Sequence, residues 1–197
     1  MGLAAAGGPF RNHWARLAPA LALLLGACTG GPPVAVIDLT AAKPPPARPL
    51  TAQIRIADPI ATLDLDSDRI LVRDGQNLAL LQGVRWPQQL SSLFRARLIE
   101  AFQNAELTRF LAGDGATAAY ELDLDIRSFE LDAATNEAHV DVAARIVALQ
   151  SGLVAAVEIF TVREPVAGGD PGAVAAALNR ASSLAMTKIV AWVAARL

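Results

Sequence analysis

The stretch Tyr120-Glu121-Leu122-Asp123-Leu124-Asp125-Ile126-Arg127 alternates apolar and charged residues without a break. Successive side chains of a strand point to opposite faces, so Tyr120, Leu122, Leu124 and Ile126 share one face and Glu121, Asp123, Asp125 and Arg127 share the other. A strand with one apolar and one solvated face belongs to a sheet covered on a single side, as antiparallel sheets commonly are. The same alternation returns where Val140, Val142, Ala144, Ile146 and Ala148 are set against His139, Asp141 and Arg145. Gln150-Ser151-Gly152 then turns the chain into a third strand over residues 153–162.

Two helical patterns supply the cover. In residues 87–106 the apolar positions Leu90, Leu93, Phe94, Leu98, Ala101, Phe102 and Ala105 fall three and four apart, with Gln88, Arg95 and Gln103 on other faces. Pro87 suits the first helical position. A second helix is expected over residues 171–197, with Asp170 as N-cap, Pro171 in the first turn, and Val174, Leu178, Ala181, Ala185, Ile189 and Trp192 as its buried stripe. The expected fold is therefore α+β, a two-layer sandwich whose largely antiparallel or mixed sheet carries two main helices on one face. Ahead of these elements, residues 34–39 suit a short strand, Lys43 to Pro49 a stiff polyproline-like connector, and residues 53–60 a strand that Pro59 either ends or confines to an edge. Residues 69–72 and 77–81 flank Asp74-Gly75 as a hairpin.

The first 27 residues read differently. Arg11 and Arg16 precede an apolar run, Leu17 to Ala27, too short to cross a bilayer as a helix, and no acidic residue is present. Leu25-Gly26-Ala27-Cys28 resembles the lipobox of bacterial lipoproteins, in which the cysteine thiol is acylated and the chain is cut before it. Cys28 is the lone cysteine of the chain, so it has no intramolecular disulfide partner, and lipidation accounts for it. The expected organisation is a lipoprotein signal peptide over residues 1–27, a short lipid-anchored tether over 28–33 and one domain over 34–197. From Thr29 to Pro33 the tether reaches on the order of 17 Å, which keeps the domain close to its membrane. Thr29 stands where an aspartate commonly marks inner-membrane retention in such lipoproteins, so its presence leans towards the outer membrane with the domain in the periplasm.

The charge balance excludes one class of partner. Removing residues 1–27, which hold two arginines and no acid, leaves 15 Lys+Arg against 19 Asp+Glu, a net −4 that argues against nucleic acid. The spacing of Asp64, Asp66 and Asp68 starts like a calcium loop, but Arg69 and Gly75 stand where that loop needs glycine and glutamate. An aspartate-rich turn is the simpler reading, with Asp66 or Asp68 bonding local backbone or pairing with Arg69. His139 has no companion ligands for zinc and sits on the polar side of its strand. Ser91, Ser92, Ser182 and Ser183 lack a nucleophile-elbow context, and Gly168-Gly169-Asp170-Pro171-Gly172 lacks the Walker lysine. No cofactor, no metal and no catalytic residue is expected. Arg85-Trp86 is the most informative pair: Trp86 either staples the helix entrance to the core or, with Arg69, Arg73 and Arg85, borders a groove or contact surface. Glu121, Asp123 and Asp125 offer a second candidate partner surface.

These segments together resemble the ABC-type transport auxiliary lipoproteins, the PqiC or YmbA-like family. The resemblance rests on Ile37-Asp38-Leu39 soon after the cysteine, Leu65 to Arg73 with its Leu-Asp-x-x-Arg-Ile core, and Val84-Arg85-Trp86-Pro87 before the first helix. It continues through Ala119-Tyr120-Glu121-Leu122 with Phe129, residues 142–152, and the terminal alanine-rich helix with Trp192. Members often carry an aromatic residue in the first strand and before Arg-Trp, where this chain has Ile37 and Leu80-Leu81. The resemblance implies a non-enzymatic accessory of a system that joins an ABC permease and ATPase to an MCE-domain protein and moves lipids or hydrophobic compounds. A homo-oligomer is a further possibility. Two other readings stand beside it: an outer-membrane assembly or structural lipoprotein, and an envelope hydrolase. Cys28→Ser is expected to leave a folded domain while abolishing acyl labelling and membrane retention, as radiolabelled palmitate incorporation and fractionation would report.

Overall fold

In chain order the elements are β1 (Ala35–Val36), β2 (Ile54–Ile56), β3 (Ile60–Ala61), β4 (Leu71–Asp74), β5 (Asn77–Leu80), β6 (Val84–Arg85), α1 (Leu90–Asn104), β7 (Tyr120–Asp132), β8 (Glu137–Ala148), β9 (Leu153–Pro165) and α2 (Pro171–Arg196), with a 3-10 turn at Thr108–Phe110. The structure is a computed structural model that describes residues 1–4, 33–113 and 115–197; most of the expected leader, and Cys28, lie outside the described residues. Val34–Leu197 forms one compact unit.

The alternating stretch opens β7, the strand on which the sheet is organised. One edge of β7 pairs antiparallel with β8, which pairs antiparallel with β9. The other edge receives three short strands in succession, all parallel to it: β2 at Tyr120–Leu122, β3 at Asp125 and Ile126, and β4 at Glu130–Asp132. The β4–β5 hairpin closes that side, with Gly75 at φ +58 in its turn. The sheet is thus mixed. The expected strand over residues 53–60 is divided into β2 and β3 because Pro59 cannot donate to a ladder. Of residues 34–39 only Ala35–Val36 is paired, in parallel with β6 as a separate two-stranded sheet.

Strict alternation on β7 stops at Ile126. Ile126 pairs with Val142 but Ser128 pairs with Asp141, so Arg127 is an extra residue, a β-bulge. The bulge reverses parity. Leu122, Leu124 and Ile126 face the helices before it, and Phe129 faces them after it. Phe129 then meets Trp86 edge-on, with ring centroids 5.9 Å apart, and Phe94 of α1 at 6.5 Å. A second edge-on pair, Phe160 with Trp192 at 5.8 Å, joins β9 to α2. Both helices lie on this one face, as the alternation implies.

The helix ends show how remote segments complete local structure. α1 begins at Leu90 and not at Pro87, which stays outside the helix. Gln89, its N-cap, makes no side-chain cap bond. The aspartate-rich turn replaces it: the Ser91 N–H donates to Asp66 Oδ1 at 3.1 Å and the Leu90 N–H to the Ser67 carbonyl at 3.2 Å. At α2, Asp170 caps as expected, accepting from the Ala173 N–H at 3.0 Å. The proline-rich connector is a strap laid along α2. The Thr40 N–H donates to Asn179 Oδ1 at 2.7 Å near the start of the helix, Arg48 donates to the carbonyls of Ala194 and Ala195 near its end, and the Thr51 N–H donates to the Leu197 carbonyl at 2.9 Å. It also reaches α1, where Asn104 donates to the Ala42 carbonyl at 2.9 Å.

Leu122 and Leu124 are 0% and 2% exposed. Replacing either with alanine is expected to cost roughly 2–5 kcal/mol through lost burial and cavity formation. Joint replacement of Asp123 and Asp125 with serine is expected to change stability by under about 1 kcal/mol, as surface positions do. Urea denaturation of the three variants measures the contrast.

Candidate docking surfaces

Among the described residues no helix covers the second face of the sheet, and its side chains form a lattice of cross-strand ion pairs. Arg55 of β2 donates from Nε to Glu121 Oε2 at 2.6 Å. Arg145 of β8 lies 3.7 Å from Asp123, and Arg127 at the bulge lies 2.9 Å from Asp141, which also accepts from the Thr161 hydroxyl at 2.7 Å. Arg163 of β9 reaches Asp132 at 3.1 Å and Glu137 at 3.6 Å. Arg73 makes a two-pronged contact with Glu130. Glu130 is the deepest of these acids, 1% exposed although it faces away from the helices. Arg73 is the counter-charge a carboxylate buried that deeply requires, and the contact holds the Arg73 guanidinium above its ordinary value.

The candidate residues are therefore distributed as follows. Glu121 and Asp123 lie on the open face, each beside an arginine, while Asp125 is exposed there between Ile60 and Ala143. Burial, and then the nearby Glu121 charge, raise Asp123 above the usual carboxylate range. Arg73 belongs to the same face. Arg85 is half exposed and pairs with Asp68 at 3.0 Å, so Asp68 serves Arg85 and not the expected Arg69. Trp86 is not a surface residue: at 1% exposure it is wedged against Phe129 and holds the entrance of α1 to the core. Arg69 lies at the hairpin side, where its backbone N–H donates to Ser67 Oγ at 3.1 Å. Cys28 is outside the described residues.

Three features had no signal in residue spacing. One is the Glu130–Arg73 pair, since these residues stand far apart in the chain and the bulge sets which way Glu130 faces. Another is the apolar strip on the N-terminal half of β9, where Leu153, Val154, Val157 and Ile159 are between 49% and 69% exposed on a strand that pairs with β8 on one edge and, among the described residues, with no strand on the other. The third is a groove of about 470 Å³ between the strap at Pro44–Arg48 and the last turns of α2 at Val190 and Ala194. Among the described residues no group of three or more His, Cys, Asp or Glu is placed to hold a metal ion, and no helix is long and apolar enough to cross a membrane.

A mixed sheet with two helices on one face and a charged, uncovered second face defines a small α+β domain that presents surfaces for contact. The chain belongs to the family of ABC-type transport auxiliary lipoprotein components, whose family profile matches residues 37–190. Protein XCC0632 from Xanthomonas campestris has a similar crystal structure, with a TM-score of 0.73 and 28% identity over 82% of this chain and 96% of that one. A crystal structure of an uncharacterized protein shares the fold at 9% identity, with a TM-score of 0.65 over 80% of this chain and 97% of the other. In sequence, the uncharacterized protein bll6063 of Bradyrhizobium diazoefficiens is 28% identical over 171 residues. That match takes in 83% of this chain and 46% of the relative, so the chain spans about half the length of the curated relative it matches.

His139 lies between Glu130 and Arg163 in the cross-strand register. Burial, and then the Arg163 charge, lower its proton affinity below the ordinary histidine value. The unfolded chain therefore takes up this proton first as pH falls. The contribution to stability is intact above about pH 6.5 and is lost as pH drops towards the lowered folded value. His139→Gln is expected to flatten the decline in stability across that window, measured by urea midpoints at a series of pH values.

Proposed function

We propose that this protein is a lipid-anchored, non-enzymatic accessory of an envelope transport system, held to the outer membrane through Cys28 with residues 34–197 in the periplasm. Its partners in this reading are an ABC permease and ATPase and an MCE-domain protein, and the cargo is lipid or another hydrophobic compound. The observation that carries the reading is the family match across residues 37–190. The uncovered sheet face supports it, because the ion-pair lattice and the neighbouring Val157 and Ile159, 57% and 49% exposed, give a partner a specific charged and apolar pattern to meet. Interfaces of this kind use charge to orient and apolar contact to hold.

ATP hydrolysis belongs to the partner ATPase in this scheme. The N-terminus of α2 is occupied by the Asp170 carboxylate, which leaves that helix end capped by the chain itself. Affinity purification from detergent-solubilised envelope is the test. The unaltered chain is expected to bring down the permease, ATPase and MCE-domain protein. V157E together with I159E should fold normally by circular dichroism and lose at least tenfold of that recovery. Recovery of a β-barrel protein in their place would favour an outer-membrane assembly role.

A further inference from the structure

At the hairpin end of the domain, Arg69 stands between two adjoining clefts. One, of about 400 Å³, is walled by Leu71, Leu78 and Leu80 and has Asp64 at its rim. The other, of about 430 Å³, is bordered by Val34, Asp68, Gly83 and Arg85. The acids of the neighbouring turn are already used: Asp68 pairs with Arg85, and Asp66 caps α1. Among the described residues the Arg69 guanidinium makes no ion pair. Around it the apolar side chains are turned outward, with Leu78 and Leu80 43% and 45% exposed and Val34 and Val36 52% and 54% exposed.

This end is also where the domain begins. Val34 is the first residue of the compact unit and lies six positions after Cys28. Six extended residues span on the order of 20 Å, so an acylated Cys28 keeps Val34 within about that distance of the bilayer surface. We propose that the hairpin end docks on the phospholipid headgroup layer. Val34, Val36, Leu78 and Leu80 enter the interface, and Arg69, its stem lying against the leucine wall, takes a lipid phosphate in the fork of its guanidinium. Asp64 on the rim offsets the local positive charge, so the contact selects phosphate and not an anionic membrane as such. Docking sets the orientation of the domain: the β8–β9 turn at Ser151, at the opposite end of β7, stands roughly 30 Å further from the membrane. The proposal rests on the lipid-anchor reading of Cys28, and the experiment separates the two.

A fluorophore is placed on Gln82→Cys, beside Val34, or on Ser151→Cys, in the mature lipidated chain on vesicles of phosphatidylethanolamine and phosphatidylglycerol that carry headgroup nitroxides. Quenching at position 82 is expected to exceed that at 151 by about fivefold or more. The difference should persist when a flexible Gly/Ser segment of about 30 residues is inserted before Val34. It should disappear in L78S with L80S and in R69Q, whose melting temperatures are checked because all three positions are on the surface or at its edge. Equal quenching at the two sites, or a difference that vanishes with the longer tether, overturns docking. The mass of Cys28 reports acylation separately. Should Cys28 prove unmodified, the same labels in Cys28→Ser chain added to the vesicles still decide the matter: quenching confined to position 82 upholds docking, and its absence overturns it.

Discussion

A single extra residue in the strand that joins both halves of the sheet, Arg127 in the bulge of β7, governs much of what surrounds it. Without it Phe129 would face solvent, and the aromatic contacts that seat Trp86 and Phe94 on the sheet would be lost. The same reversal of parity sends Glu130 to the open face, where Arg73 of β4 meets it. One backbone irregularity therefore couples the helix layer, through aromatic packing, to the short parallel strand at the edge of the sheet, through an ion pair. Because bulged strands twist and bend more than regular ones, the coupling also shapes the sheet to fit its helices.

The second organising device is the chain's use of distant segments to finish local structures. Gln89, the N-cap of α1, makes no side-chain cap bond, and the aspartate-rich turn supplies one from 25 residues upstream. The terminal carbonyls of α2 are met by Arg48 and Thr51 of the strap. Helix ends left unsatisfied cost stability, and here each is completed by a segment with little regular structure of its own. This is how a chain region containing only short strands and prolines becomes part of a single core with Leu39, Leu50, Ile54 and Ile56 buried in it.

These constraints leave the candidate contact surfaces at the edges of the architecture. The helices seal one face of the sheet, and the other carries a near-balanced set of charges with an apolar strip along β9. The hairpin end holds a different combination, outward apolar side chains around an arginine beside the start of the domain. The proposed roles, holding the domain at a membrane and meeting partners there, would fall to separate ends of this sheet.

The sequence by itself determined the elements whose signal is local. The period-two runs of β7 and β8, the three-and-four spacing of α1, the buried stripe and Asp170 cap of α2 and the Asp74-Gly75 hairpin all follow from residues close together in the chain. From them came the two-layer architecture and the resemblance to the auxiliary lipoproteins, since family patterns are also written in nearby residues. What only the tertiary structure decided depends on pairs distant in sequence. Strands of two to four residues are too short to show a period, so the parallel attachment of β2, β3 and β4 to one edge of β7 had no local signal. Spacing left Trp86 readable as core or as contact surface, and Phe129 packed against it makes it core; Asp68 had Arg69 as its neighbour in sequence but Arg85 in space. Glu121 and Asp123 spelled an acidic stripe along the chain; Arg55 and Arg145, from other strands, turned it into a lattice. Periodicity records which face a side chain takes, but the partner it finds there is set by register between strands, and register is a property of the folded sheet.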